Sequence, residues 1–441
     1  MVESLSLNAT RRLLRRAVTQ GILVERGDGM DKQKMAAFIV ERRRAAGLTQ
    51  QQVADALGVS FQAVSKWEGG LACPQTEVLA PLAAALSVTV DELLRGEGKE
   101  GFTYRQAGVD VHATDAIKRE LARYVASGDP RVLNGLGPFA SLYDFRFDDI
   151  PDPVLVLKAE EPGSKQKLAM EYGYMESVCH DMVNHLVNDV IVMGARPLAV
   201  LDTIVCGQAE PDTIRSIVKG VSEACRANGC ALVGGETSVQ PDVVGRGVYI
   251  LTASAAGVVS RAKIIDGSAI SESDVVLAIA SNGLHTNGYS LVRLLMKEMP
   301  GLVRETVNGE SFIEAVMKPH TAYRTAVEVL LAGGSVHGLA HITGGGIEGN
   351  LCRVVPEGLS AVIDLAKIRT LSIFELLRAR GGVRDEEMLR TFNCGVGLIA
   401  VVPREYAEAA QDRVGRFHEC YAIGEIRRGG EKVVLQGNIR W

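Results

Sequence analysis

Residues 45–70 read "AAGLTQQQVADALGVSFQAVSKWEGG", and the order of their caps, apolar positions and glycines fixes a local fold. Thr49 is a helix-capping type placed just before Val53, Ala54 and Leu57, which recur at helical spacing. Gly58 ends that run, and its missing β-carbon permits a tight turn into a second run that Ser60 can cap. In the second run Ala63, Val64 and Trp67 share one side, leaving Phe61, Gln62, Ser65 and Lys66 on the other. Upstream, Phe38, Ile39 and Val40 followed by Arg42, Arg43 and Arg44 predict a helix that stops at Gly47. Downstream, two further short helices are predicted around 76–86 and 89–95.

The stretch 31–95 resembles the Cro/C1-type (XRE) helix-turn-helix repressors, with "GLTQ", "LGVS", "VSKWE" and "DELL" in that order. The resemblance implies an all-α five-helix domain in which Gln50 holds a phosphate while Gln62, Ser65 and Lys66 reach base edges in the major groove. The bland alternative is a helical bundle kept for packing or protein contacts. Residues 31–95 carry seven basic and seven acidic side chains, so a single copy releases few counterions. A dimer on an inverted-repeat DNA operator is therefore expected.

The whole chain has 441 residues, 47% of them hydrophobic, with a net charge of −5, which leaves room for several cores and excludes a sequence-blind nucleic-acid coat. No run approaches the roughly 20 apolar residues a bilayer requires, and "RRLLRR" breaks any secretory signal, so a cytoplasmic protein with no membrane partner is expected. Eight cysteines without a CxxC pair read as reduced, mostly buried thiols. Residues 1–30 read as an extension outside the folded protein: codons for Glu25-Arg26-Gly27 can spell a ribosome-binding sequence, which makes Met30 the expected start.

"RGEGKEG" (95–101) is polar and glycine-rich, and a linker is placed at 96–102. Beyond it "VLVLK", "VVLAIA" and "VGLIAVV" alternate with helical stretches such as 213–227 and 322–332, an α/β organisation. Four polar-glycine segments interrupt the pattern: "LVGGETS" (232–238), "SNGLHTNGYSLVR" (281–293), "HITGGGIEGN" (341–350) and "RTFNCGVG" (390–397). Clustered glycines let backbone N–H groups cradle phosphate, and a neighbouring carboxylate such as Glu236 can hold Mg²⁺ against it. Each alone is no more than a turn.

Together, with "AGVDV" (107–111), "VNDVIVMGARPLAVLD" (187–202), "GCALVGGET" (229–237) and "AHITGGG" (340–346), they resemble the phosphoribosylformylglycinamidine cyclo-ligases (aminoimidazole ribonucleotide synthetases) across 103–437. "TFNCGVG" separates this family from selenophosphate synthetases and thiamine-phosphate kinases. The resemblance implies a multidomain chain: the helix-turn-helix, then a two-part α/β (α+β) PurM-like ATP-binding body divided as 103–262 and 263–441. It further implies a homodimer, ATP and Mg²⁺ as cofactors, and formylglycinamidine ribonucleotide or a related purine intermediate as the partner whose imidazole ring is closed. By position, Glu160, Asp189 and Glu236 are its metal-side carboxylates, Asn188 and Thr237 their ATP-side neighbours, Lys165 a phosphate contact, and His285 and Asn287 the substrate-facing polar groups.

Several positions depart from the family pattern. Its Asp-Gly-Val-Gly-Thr-Lys is Glu160, Glu161, Pro162, Gly163, Ser164 and Lys165, which lengthens one carboxylate arm and removes an N–H donor at the proline. Its Gly-Gly-Phe-Gly is Gly137, Pro138, Phe139 and Ala140, its Pro-Thr-Arg is Pro319, His320 and Thr321, and its Tyr-Lys-Asp is Tyr104, Arg105 and Gln106. Two readings follow: a cyclo-ligase that carries a DNA reader, or a transcription regulator whose body senses a nucleotide or purine intermediate without turnover.

Overall fold

The computed structural model describes residues 31–98, 103–104, 106–125 and 128–441, so the expected start at Met30 and most of the linker lie outside the described residues. Two compact units meet between Thr103 and Tyr104.

Among the described residues of the first unit, five helices surround one small core: α1 (Lys32–Ala45), α2 (Gln50–Leu57), α3 (Phe61–Glu68), α4 (Thr76–Ala85) and α5 (Val90–Arg95). The signals that start and stop them are local. Thr49 and Gln52 form a reciprocal capping box on α2, Gly58 ends it at φ 64°, and the Ser60 side chain accepts from the Ala63 N–H at the start of α3. Val53, Ala54, Val64, Trp67, Leu82 and Leu93 fill the core.

The described residues of the second unit form two large sheets and one two-stranded one. The first runs β1 (Pro153–Glu160), β4 (Tyr249–Ser260), β2 (Arg196–Cys206), β3 (Ala231–Val239) in spatial order, antiparallel except for the β2–β3 pair. One face is covered by α6 (Val111–Val125), α8 (Met175–Ile191) and α9 (Pro211–Ala227), with the short α7 (Lys165–Tyr172) leading into α8. Helix α9 buries Ile214, Ile217, Val218, Val221, Ala224 and Cys225, a single apolar stripe. On the other face Leu155, Leu157, Leu201 and Ile250 stay exposed, although all four are large and apolar.

The second sheet has the order β12 (Val433–Gln436), β9 (Leu359–Asp364), β11 (Cys420–Arg428), β5 (Val275–Ala280), β10 (Val396–Val402), β8 (Gly338–His341), while β6 (Thr306–Val307) and β7 (Glu310–Ser311) make a separate hairpin. Every residue of β10 is buried, as its unbroken apolar run requires for an interior strand. Helices α10 (Tyr289–Glu298), α11 (Phe312–Met317), α12 (Arg324–Gly333) and α13 (Gly346–Leu351) fill the connections. All eight cysteines are free thiols, half of them buried.

Candidate functional site

Helix α8 is buried along most of its length, yet it carries Asp181, Asn184, His185 and Asn188 at helical spacing among Val178, Met182, Val183, Leu186 and Val187. Such a polar stripe has to find partners, because each orphaned polar group in a core costs of the order of 1–3 kcal/mol. It finds them in the segment before α12. The Asn184 amide donates to the His320 carbonyl at 2.7 Å, and the Asn188 amide donates to the Thr321 carbonyl at 2.8 Å. The His320 N–H donates to Asp181 Oδ1 at 2.6 Å, and the Tyr323 N–H donates to Asn188 Oδ1 at 3.0 Å. Four bonds thus hold residues 320–323 against α8.

This clamp gathers four histidines. His285 and His320 stack with ring centroids 3.9 Å apart, and His320 Nε2 lies 2.8 Å from His341 Nε2. His341 Nδ1 is 2.7 Å from Asp189 Oδ1, and His185 Nδ1 and His320 Nδ1 both face Thr286 Oγ1, at 3.1 and 3.4 Å. Burial and the neighbouring His341 push the His185 imidazole down to about 4, and burial drives His285 and His320 well below the usual histidine range. His285 adopts φ 61°, a left-handed conformation that a non-glycine residue holds only when its surroundings enforce it. Gly397 is part of that enclosure: a β-carbon there would stand 2.8 Å from the His285 ring and closer still to the Tyr323 hydroxyl.

The expected site residues fall into three groups. Near the histidines, Glu160 Oε2 and Asp189 Oδ2 are each 3.0 Å from the Lys158 ammonium, an ion pair that sequence reading missed. Burial opposes the charge on Lys158, but hydrogen bonds to Asp189 and Glu160 outweigh it and raise its pKa. Burial likewise raises Asp189, and the His341 and Lys158 contacts overcome it, leaving that carboxyl well below the usual carboxylate range. His285 and the half-buried Asn287 stand in this same neighbourhood, with Asn287 Nδ2 3.5 Å from Thr286 Oγ1.

A second group is already spent on structure. Lys165 is 0% exposed, and its ammonium donates to Asp181 Oδ1 at 2.9 Å, the His285 carbonyl at 3.1 Å and the Lys318 carbonyl at 2.6 Å. An ammonium has three donors, so the expected phosphate contact has none left in this arrangement. Burial pushes Lys165 down and Asp181 up, both toward the neutral form. Asn188 is corrected in the same way, since its donor and its acceptor are both taken by the 320–323 segment.

Glu236 makes a third group. Strand register puts Glu160, Ala253, Asp202 and Gly235 in one row of the first sheet, and Asp202 is on the buried, helix-covered face. Glu236 pairs with Thr203 in the next row and points to the opposite, open face, whereas Thr237 pairs with Ile204 and shares the helix side. The expected set of Glu160, Asp189 and Glu236 is therefore not brought together within one chain. Mg²⁺ asks for a near-octahedral oxygen shell. The two carboxylates that do approach are bridged by an ammonium and flanked by imidazoles, which does not fit it.

A separate recess of about 740 Å³ lies between residues 106–110, 207–211 and 239–246, and none of its walls belongs to the histidine cluster. In the first unit, Gln62, Ser65 and Lys66 are exposed on one side of α3, as the helical spacing predicts. Gln50 differs: its amide donates to Glu68 Oε2 at 2.7 Å, where Arg43 also donates at 2.9 Å, so its N–H is engaged inside the domain.

Comparison with known proteins matches these parts to families. Residues 39–93 match the helix-turn-helix family, residues 151–259 the AIR synthase related protein N-terminal domain, and residues 271–436 its C-terminal domain. The chain is 39% identical over 342 residues to a phosphoribosylformylglycinamidine cyclo-ligase of Magnetococcus marinus, covering 77% of this chain and 93% of that one. The Sorangium cellulosum enzyme of the same name is 40% identical over 336 residues, 75% of this chain and 96% of its own. Among solved structures, hydrogenase maturation protein HypE in complex with ATP shares the body's fold (TM-score 0.54, 18% identity, 74% of this chain, 92% of that one). So does a thiamine-monophosphate kinase from Stenotrophomonas maltophilia (TM-score 0.54, 19% identity, 72% and 96%). Among the described residues no helix is long and apolar enough to cross a membrane.

Proposed function

Because this chain belongs to the phosphoribosylformylglycinamidine cyclo-ligase family, with a helix-turn-helix domain ahead of the family body, we propose that it is a DNA-binding regulator whose body senses a purine nucleotide or purine intermediate. One observation carries the choice of sensing over turnover: Lys158 closes the Glu160–Asp189 pair where the family resemblance expects Mg²⁺. A tethered ammonium neutralises the carboxylates without offering the open coordination positions that bridge a triphosphate. ATP and formylglycinamidine ribonucleotide are the ligands to try first. The near full-length relatedness to the cyclo-ligases favours a second reading, in which ring closure continues alongside DNA binding.

Regulation through DNA suits a two-fold body. The exposed Leu155, Leu157, Leu201 and Ile250 make an apolar sheet face of the kind that protein contacts cover, and a homodimer through it would carry two copies of α3 to an inverted repeat. Selection from random duplexes should then enrich a palindrome. Gln62→Ala and Lys66→Ala should each weaken binding by about 1–3 kcal/mol where the side chain contacts a base. Under the sensing reading, ATP or formylglycinamidine ribonucleotide shifts operator affinity while phosphate release stays at background. Stoichiometric phosphate release from formylglycinamidine ribonucleotide with Mg²⁺ and ATP would overturn it in favour of the enzyme.

A further inference from the structure

We propose that His285, His320 and His341 hold one first-row transition-metal ion of the zinc(II) class, at a site distinct from any Mg²⁺ of the nucleotide reading and independent of it. One ring nitrogen from each of the three lies within 4.8 Å of the other two, and the three residues are 1%, 1% and 5% exposed. The His320 and His341 Nε2 atoms are 2.8 Å apart. Two nitrogens bound tetrahedrally at about 2.0–2.1 Å from one ion stand roughly 3.3–3.4 Å apart, so His320 and His341 have to separate by about half an ångström, and the His285 ring, stacked on His320 with 20° between the planes, has to turn to aim its nitrogen at the same ion. His285 Nδ1 is buried and has no hydrogen-bond partner among the described residues, an orphan that metal ligation would satisfy.

The surroundings have the form of a supported metal site. Ligating imidazoles usually anchor their second nitrogen on an oxygen, which fixes ring and tautomer. His341 Nδ1 sits 2.7 Å from Asp189 Oδ1, and His320 Nδ1 sits 3.4 Å from Thr286 Oγ1. The proton balance closes as well. With its Nδ1–H donated to Asp189, His341 presents a bare Nε2 that accepts from His320 Nε2–H. Binding requires His320 Nε2 bare, and its proton moves to Nδ1, opposite Thr286 Oγ1, which in turn donates to His185 Nδ1 at 3.1 Å. No proton has to leave the cluster. Three nitrogen donors suit zinc(II), cobalt(II) or nickel(II) rather than Mg²⁺, and they leave a fourth position for water or an anionic ligand.

His185, Asp189 and His341 also converge within 4.8 Å, but Lys158 already places an ammonium 3.0 Å from Asp189 Oδ2, which repels a second cation there. The two arrangements separate by mutation. The full chain, stripped with a chelator and titrated with cobalt(II), should take up one ion per chain, develop the intense visible absorption of a four-coordinate site, and melt at a higher temperature; Mg²⁺ should do none of these. His320→Thr and His285→Gln should weaken cobalt affinity by more than the roughly 10–100-fold that loss of an outer partner costs. His185→Ala should keep it. Circular dichroism checks each fold, and if one variant does not fold the other reads the same loss. Wild type without stoichiometric uptake, folded His320→Thr and His285→Gln that bind like wild type, or loss confined to His185→Ala would each overturn the proposal.

Discussion

On α3, Gln62, Ser65 and Lys66 stand exposed over a core made by Val64 and Trp67; on α8, Asp181, Asn184, His185 and Asn188 are buried and bond inward. The first surface has its polar groups in water, where the proposed DNA contacts would replace solvent, and altering one of them disturbs little of the fold. The second has been desolvated during folding, so its groups are tied to one another and to the backbone. A residue of the reader can therefore be removed to test binding alone. A residue of the α8 stripe tests stability first and ligand binding second.

The strongest way to break that contrast is Lys165→Ala. It leaves Asp181 buried at 0% exposure without its ion-pair partner, and removing one member of a buried pair typically costs about 3–5 kcal/mol. Urea unfolding should show that loss, and the double change Lys165→Met with Asp181→Leu should restore much of it, because the desolvated charges are gone together. A Lys165→Ala protein as stable as wild type, yet deaf to nucleotide, would return Lys165 to the phosphate contact that its motif position suggested.

The same contrast decides what could be read from the chain. Thr49, Gly58 and Ser60 act on neighbours a few residues away, so the order of caps and apolar positions was enough to place α2 and α3. Strands such as 275–280 and 396–402 were equally plain, because an interior strand needs an unbroken apolar run. The histidine cluster was not legible. His185, His285, His320 and His341 come from one helix, one glycine-rich turn, one connecting segment and one strand, and no spacing links them. A signal did exist in α8, where four polar residues recur at helical spacing inside an apolar helix, but it says only that partners are needed, not which. Strand register mattered most for Glu236: adjacent in motif terms to Thr237, it faces the other side of the sheet, and a β-strand's period of two is invisible in a list of motif residues.

Asp202 extends the comparison to pH. It lies on the helix-covered face of β2, where burial pushes its carboxyl up to about 7. A carboxyl whose folded pKa exceeds its unfolded value near 3.9 binds more protons folded than unfolded between the two values, so stability falls as pH rises from about 4 to 7 and is level above. At about 1.4 kcal/mol per unit, the shift amounts to roughly 4 kcal/mol of lost stability at pH 8 as an upper figure. Asp202→Asn lacks the titration. The stability difference between variant and wild type should therefore climb in the variant's favour across that window, read from urea midpoints at pH 4, 6 and 8, and a pH-independent difference would mean that Asp202 stays charged or solvated in the fold.

The smallest expected effect belongs to the reader, and it tests whether local signals act locally. Thr49 Oγ1 accepts from the Gln52 N–H at 3.2 Å while the Thr49 N–H donates to Gln52 Oε1 at 2.8 Å, so the pair satisfies two donors that the first turn of α2 would otherwise leave open. Replacing a capping threonine by alanine removes the accepting oxygen and typically costs about 1 kcal/mol, within a range of roughly 0.5–2. Glycine at the same position should cost only a few tenths, because the open backbone lets water reach the freed N–H groups. Both variants keep Gln62, Ser65 and Lys66, so operator affinity should change little at temperatures where the domain remains folded, while its melting temperature falls. If Thr49→Ala instead weakened DNA binding several-fold with no change in melting, the hydroxyl would be a direct DNA contact, and the separation between a self-contained scaffold and its exposed recognition face would fail in the one region where it is simplest.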